Sequence, residues 1–264
     1  MHKQIKKVLM CRPDYFDIVY EINPWMKVCS VSILKAQEQW SNLAQIYQDL
    51  EIEVKVIEPN IDFPDMVFAT DQGIIKRDIF ISGNFRFVER QGESELYKEW
   101  LLQNGYIINH TQKDVCFEGG DCVMIGDKMV FGYGFRSDLQ AAKEIEKILD
   151  IEVIPIKLIN DRFYHLDTAL FSLNSNTLFY VESAFERKSL ELLSEKANLI
   201  SIDEAEANNF AANSMVTNGH VIMTANNLKM KKDIEDQGYK VIEVDVSEFL
   251  KSGGGIHCLT LVLE

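Results

Sequence analysis

The sequence is short of the residues that announce a function by themselves. Its five cysteines (Cys11, Cys29, Cys116, Cys122, Cys258) are odd in number and include no Cys-x-x-Cys pair. Neither a disulfide framework nor a thiolate zinc site is therefore indicated. No apolar run is long enough to span a bilayer, and the opening Met1-His2-Lys3-Gln4-Ile5-Lys6-Lys7 lacks a signal-peptide core; a cytoplasmic location is the expectation. Positive charge is scarce, with 27 Lys and Arg against 41 Asp and Glu and a net charge of -14. That balance argues against a nucleic-acid or anionic-membrane surface and is compatible with a cationic small molecule. A phosphate-binding glycine loop is missing too: Gly132-Tyr133-Gly134 lacks the third glycine and the acidic follow-up of a dinucleotide fingerprint. No two histidines have the helical spacing of a metal pair. His165 and Asp167 with Glu118 are the one grouping that resembles a metal cluster, and neither metal nor cofactor is expected.

What the chain does have is order. Lys6 to Cys11 reads as a strand, Ser32 to Leu50 as an amphipathic helix, and Glu53 to Ile57 as a second strand. A unit of two paired strands, a helix and a further strand then begins near Asp65, and recurs near Glu118, His165 and Asn213. The first unit has strands over Asp65 to Lys76 and Asp78 to Ser82, a helix over Glu93 to Gln103, and a strand over Tyr106 to Asn109. In the second, Ser137 caps a helix running to Leu149. In the fourth, Asn218-Gly219 is a strong hairpin signal. The starts are spaced by roughly 45 to 55 residues, which marks a repeat architecture. Cys258 opens a fifth unit, with a strand over Leu259 to Leu263, that the N-terminal helix and strands complete. The pattern predicts an α/β propeller of five ββαβ units, closed into a ring as one domain over residues 1–264.

Rotation would carry the polar residue that starts each unit to one place on the axis: Asp65 and Asp71, Glu118, His165 and Asp167, Asn213, and Cys258. Buried carboxylates gathered together are costly unless paired with each other or with a charged ligand. Cys258 follows Gly253-Gly254-Gly255, a flexible turn meeting a buried strand, and a thiol there needs a nearby base to attack as thiolate. His165 is the best available base, and Glu118, ahead of Gly119-Gly120, could orient it as the third member of a triad. His257 adjoins Cys258, but neighbouring strand residues point to opposite faces, so it is set aside. Asp71 and Asp167 are then spare carboxylates suited to a planar cation rich in N–H donors, a guanidinium. Asp65, beside Pro64, reads equally as a turn residue or a substrate ligand, and Asp121 reads as a turn residue.

Taken together, Pro64-Asp65-Met66-Val67-Phe68-Ala69-Thr70-Asp71, Phe117-Glu118-Gly119-Gly120-Asp121, Phe135-Arg136-Ser137, His165-Leu166-Asp167-Thr168 and Gly253-Gly254-Gly255-Ile256-His257-Cys258-Leu259-Thr260 resemble the guanidino-group-modifying superfamily. Its members include arginine deiminases, amidinotransferases and dimethylarginine dimethylaminohydrolases, and its fold is the five-bladed pentein. The resemblance implies that Cys258 attacks the guanidinium carbon, that His165 protonates the leaving nitrogen and then activates water or an amine, and that Glu118 orients His165. It places Asp71 and Asp167 on the guanidinium, Arg136 on the substrate carboxylate, and Arg90 (or Arg86) as a second such contact. The carboxylate at Asp167, where dimethylarginine hydrolases typically have a non-acidic residue, favours an unmethylated guanidinium. Hydrolysis of arginine or a relative is the leading expectation. An amidinotransferase, a dimethylarginine hydrolase and a non-catalytic pentein are the alternatives. The expected partner is a small guanidino substrate, with a homo-oligomer possible.

Overall fold

Five three-stranded sheets stand side by side in a ring in the computed structural model, which describes residues 4–28 and 30–264. Met1, His2, Lys3 and Cys29, named above, lie outside the described residues. The first sheet holds β1 (Lys7–Cys11) and β2 (Glu53–Ile57), joined by helix α1 (Ile33–Asp49). The next unit runs β3 (Gly73–Lys76), β4 (Ile79–Ser82), α2 (Glu93–Gln103), β5 (Ile107–His110). Then come β6 (Cys122–Ile125), β7 (Lys128–Tyr133), α3 (Leu139–Leu149), β8 (Val153–Lys157), and after them β9 (Leu170–Asn174), β10 (Thr177–Tyr180), α4 (Arg187–Ser194), β11 (Asn198–Ser201). A short helix α5 (Glu204–Ala207) leads to β12 (Met215–Thr217), β13 (His220–Thr224), α6 (Leu228–Glu235) and β14 (Lys240–Val244). The one-turn helix α7 (Ser247–Leu250) and β15 (Leu261–Val262) follow.

Within each unit the first two strands form an antiparallel hairpin, and the third pairs parallel to the second. A parallel neighbour cannot be reached by a tight turn, so each third strand requires the crossover helix that precedes it. The first sheet obeys the same rule only because β15 supplies its missing strand, antiparallel to β1 with Leu9 opposite Leu261. The repeat predicted from spacing is thus present and the ring closes through the chain ends. Each helix buries the stripe its sequence offers; in α1 these are Ala36, Trp40, Leu43, Ala44 and Tyr47, recurring at helical spacing. The Asn218-Gly219 hairpin has positive φ at both positions, 49° and 74°, as a tight two-residue turn requires.

Three expectations need correction. The strand expected from Asp65 begins only at Gly73, because Pro64–Val67 and Ala69–Gln72 coil into 3-10 turns. Pro64 at the first position presets φ for such a turn and has no N–H to lose. The strand expected over Leu259 to Leu263 shrinks to Leu261–Val262, because Ile256 to Leu259 form a turn closed by the Leu259 N–H on the Gly255 carbonyl (3.1 Å). Asp138, not Ser137, holds the N-cap position of α3, with its carboxylate turned to Arg86 and the Cys116 N–H; the Ser137 hydroxyl accepts the Glu118 N–H at 3.0 Å.

The inner strands β3, β6, β9, β12 and β15 surround a central cavity of about 730 Å³. One end is lined by the residues before these strands (Thr70, Gly119, Asp167, His257), the other by hairpin residues such as Arg77, Asp127 and Ser175, which are exposed. The cavity is therefore a channel with a solvent mouth at the hairpin end. Among the described residues no helix is long and apolar enough to cross a membrane.

Candidate active site

A tight turn precedes each inner strand at the same end of the ring, and these turns carry Asp71, Asp121, Asp167, Asn213 and Cys258, all buried. Cys258 Sγ lies 3.2 Å from Asp167 Oδ2 and accepts from Asn213 Nδ2 at 3.1 Å. The other face of that amide fixes the turn, since Asn213 Oδ1 accepts the N–H groups of Gly255 (3.0 Å) and Cys258 (3.1 Å). Burial, then the charges of Asp167 and Asp71, push the thiol well above its ordinary range. Without a cation beside it, the sulfur rests as the neutral thiol.

His165 is fully enclosed. Its Nε2 is 2.8 Å from Glu118 Oε2, and its Nδ1 faces Asp71 Oδ1 at 3.4 Å. Burial opposes a charge on the ring, yet Asp71, Glu118 and Asp121 outweigh it and raise the imidazole to about 9. Burial likewise opposes ionisation of Glu118, but Arg136 (3.4 Å) and the bond with His165 bring its carboxyl down to about 2. Imidazolium and carboxylate therefore coexist at neutral pH. The glycines after Glu118 have a steric reason. A Cβ on Gly120 would stand 2.8 Å from both Asp71 Oδ1 and His165 Nδ1, and one on Gly119 would stand 2.1 Å from the Thr70 carbonyl.

Asp71 Oδ1, Asp167 Oδ1, Asp65 Oδ2 and His165 Nδ1 are buried and have no hydrogen-bonding partner among the described residues. An oxygen of Asp71, an oxygen of Asp167 and the Cys258 sulfur lie within 4.8 Å of one another. His165 and Glu118 stand outside this trio, so the cluster considered from sequence is not the one that gathers. A thiol with two carboxylates and no imidazole is a poor match to common transition-metal donor sets. Unpartnered carboxylate oxygens set side by side suit a flat N–H donor instead. The site's cations, Arg90, Arg136 and protonated His165, are outnumbered by the carboxyl groups of Asp65, Asp71, Glu93, Glu118, Asp121 and Asp167. Burial raises Asp65, and lifts Glu93 and Asp121 to about 7, a sign that the cluster is short of positive charge.

The arginines are placed less openly than expected. Arg90 is buried and bound to Asp71 Oδ2 (2.7 Å), to both oxygens of Glu93 (3.0 and 2.8 Å) and to the Asp65 carbonyl (3.2 Å). Four of its five N–H donors are thus spent inside the protein, so Arg90 braces Asp71 from behind and has one donor left for the expected carboxylate contact. Arg86 reaches the Arg136 carbonyl (3.1 Å) and Asp138 (2.5 Å). Arg136 is stacked between the rings of Phe87 and Tyr164 and donates to the Ile22 carbonyl at 2.9 Å. Asp65 accepts from Ser252 at 3.3 Å and keeps its second oxygen unpartnered among the described residues.

Sequence reasoning gave no role to Asn213 and set His257 aside. His257 Nδ1 lies 2.9 Å from the same Asp167 Oδ2 that faces the thiol. The strand argument failed because residues 256–259 form a turn, where successive side chains diverge by about 100° rather than 180°. The Asn213 amide had a signal, its position at the start of the fourth unit.

The geometry can be set beside known proteins. The bifunctional arginine dihydrolase/ornithine cyclodeaminase AgrE of Nostoc is 40% identical over 263 residues, covering 97% of this chain and 37% of that protein. The chain thus spans little more than a third of that relative's length. The N(G),N(G)-dimethylarginine dimethylaminohydrolase of Mycobacterium tuberculosis is 37% identical, covering 98% of this chain and 86% of that one. A crystal structure of the N-terminal domain of Synechocystis ArgZ, in a variant covalently bound to a reaction intermediate, superposes with a TM-score of 0.95 at 37% identity and 98% coverage of both chains. The family model for eukaryotic N,N dimethylarginine dimethylhydrolase matches residues 21–263. With the match running from before α1 to the end of β15, and so through every turn that carries the site, the chain belongs to the dimethylarginine dimethylhydrolase family of penteins.

Proposed function

We propose that this chain is a thiol-dependent hydrolase that cleaves a guanidino C–N bond through a covalent amidino adduct on Cys258. The observation that carries the reading is the unpartnered, buried pair Asp71 Oδ1 and Asp167 Oδ1 beside the Cys258 sulfur, with His165 Nδ1 next to Asp71. A guanidinium donates N–H bonds to both carboxylates and supplies the missing positive charge. That charge lowers the cost of forming the thiolate, which then adds to the central carbon. His165, protonated and held by Glu118, gives its Nδ1 proton to the leaving nitrogen. As neutral imidazole it next takes a proton from the water that attacks the adduct, freeing a urea-type product and the thiol. Arg90 positions Asp71. Arg136 uses its remaining donors on the substrate carboxylate, and Asp65 offers its unpartnered oxygen to the substrate's other polar group.

Relatives named for arginine and for dimethylarginine bracket the substrate. Nω,Nω-dimethylarginine keeps two N–H-bearing nitrogens, but its third presents methyl groups with no hydrogen to give in a site crowded with buried carboxylates, whereas all three nitrogens of an unmethylated guanidinium donate; arginine or a close unmethylated relative is therefore the substrate proposed. A site built to bond an N–H discriminates strongly against the analogue lacking it. The test is turnover on arginine, agmatine and Nω,Nω-dimethylarginine with the released amine identified. Ammonia from arginine at a rate at least about tenfold above dimethylamine from the methylated compound supports the proposal. Dimethylamine alone reverses the substrate choice, and turnover that depends on an added amine makes the enzyme an amidinotransferase. Cys258→Ala should abolish turnover and prevent labelling by 2-chloroacetamidine; full activity in that variant ends the covalent reading.

A further inference from the structure

His257 is half-buried, with a quarter of its side chain accessible, in a turn whose other members are enclosed. It lines the inner end of the central channel, as does Asp167, while Cys258 and His165 do not. Asp167 Oδ2 faces two proton-exchanging groups at once, Cys258 Sγ at 3.2 Å and His257 Nδ1 at 2.9 Å, while Asp167 Oδ1 stays unpartnered among the described residues. One carboxylate oxygen is thus committed to a line from thiol to imidazole, and the other is left for a ligand. The channel beyond His257 leads between the inner strands to the exposed hairpins, past Lys76, Arg77, Asp127 and Glu264.

The proposed chemistry has an unfilled step, and this inference rests on that chemistry. The thiol must lose its proton before it can attack. His165 cannot accept it, because its ring is already charged (raised to about 9 against burial by Asp71, Glu118 and Asp121) and its proton is reserved for the leaving nitrogen. We propose that the thiol proton leaves by the opposite side: with His257 in its Nε2–H tautomer and Nδ1 free to accept, Asp167 Oδ2 takes the proton from Sγ, His257 Nδ1 takes it from Asp167, and His257 Nε2 releases its own proton to water in the channel. The S–H bond breaks with its electron pair staying on sulfur, Asp167 ends as carboxylate, and His257 returns to the neutral state as its other tautomer. Two imidazoles then divide the work, His165 serving the leaving group and His257 the nucleophile. The channel is the proton outlet.

His257→Gln and His257→Ala, compared in the full chain, separate proton transfer from mere support of Asp167. Gln keeps an amide beside Asp167 Oδ2 but cannot carry a proton through. Both variants should lose roughly 100-fold in kcat and in the rate of Cys258 alkylation by 2-chloroacetamidine at pH 7. Added imidazole, entering from the hairpin end, should restore His257→Ala by at least about tenfold. A His257→Gln variant within about threefold of wild type, or no response of folded His257→Ala to imidazole, overturns the relay and leaves Cys258 chemistry standing. Wild-type protein that neither turns over a guanidino compound nor alkylates selectively at Cys258 instead overturns the function on which the relay is built.

Discussion

Asn213 joins the two demands on Cys258, since one amide both shapes its turn and addresses its sulfur. Replacing it with aspartate separates these tasks. Asn213→Asp keeps Oδ1 for the Gly255 and Cys258 N–H groups, but turns an acceptor toward the thiol where a donor stood. A third negative charge beside sulfur raises the cost of the thiolate further. The expected outcome is a loss of about 100-fold in kcat/KM at pH 7, roughly 2.7 kcal/mol of transition-state stabilisation. Circular dichroism should stay close to wild type, while the denaturation midpoint falls, because a further buried carboxylate is added and the Nδ2 donation to the Asp167 carbonyl (3.2 Å) is lost. An Asn213→Asp enzyme of normal activity would show that the amide serves the turn alone. The same residue shows where sequence reading stops: its place in the repeat was legible, but a neutral amide gives no hint of its target until the turn brings Sγ within 3.1 Å.

At the scale of elements, the cysteine turn is held from two sides. Thr70 in the first unit shares its one hydroxyl hydrogen between the carbonyls of His257 (2.7 Å) and Thr260 (2.5 Å), and its N–H bonds the Cys258 carbonyl at 3.1 Å. From α1, Tyr47 OH meets Thr260 Oγ1 at 2.8 Å, and that hydroxyl in turn donates to the Ile256 carbonyl at 2.9 Å. Thr260→Val removes the middle of this chain and leaves a buried phenol without a partner, a loss of about 1–3 kcal/mol. Adding Tyr47→Phe removes the orphaned hydroxyl, so the double variant should be more stable than Thr260→Val alone in urea denaturation. A double variant less stable than the single one would exclude this coupling. The element pattern itself was largely readable. Hydrophobic periodicity placed the major helices, and the roughly 50-residue spacing of turn signals placed the units. The 3-10 turns before the inner strands were not readable, because Pro64-Asp65-Met66-Val67 and His165-Leu166-Asp167-Thr168 have the composition of strand ends. Their coiling depends on neighbours in other units, as the bond from Thr70 to Cys258 shows. That hidden coiling is also why His257 was set aside.

For the whole molecule, the buried charges of the ring set how stability varies with pH, and the sign follows group by group. His165, raised to about 9 from an ordinary 6.5, contributes stability that is complete below pH 6.5 and is lost as pH rises through 9. Glu118, lowered to about 2, contributes stability that is complete above its ordinary 4.5 and lost only as pH falls toward 2. Glu93 and Asp121, each lifted by burial to about 7, act the other way: ionising them in the fold costs more than in the unfolded chain. They therefore subtract stability progressively between roughly pH 4 and pH 7 and nothing further above it. From pH 5 to pH 9 every one of these contributions either falls or is flat, and the net charge of -14 adds repulsion in the same direction. Thermal melts should accordingly give the highest Tm near pH 5, with a continuous decline to pH 9. A bound cation that satisfies Asp71 and Asp167 should flatten that decline, and arginine with the Cys258→Ala protein is the direct probe. Glu93→Gln should remove part of the slope between pH 4 and 7 and leave the slope between pH 7 and 9, which belongs to His165. A Tm that rises steadily from pH 5 to 9 would mean that the carboxyl cluster at the centre of the ring is already neutralised from within, and that no external cation is needed to complete it.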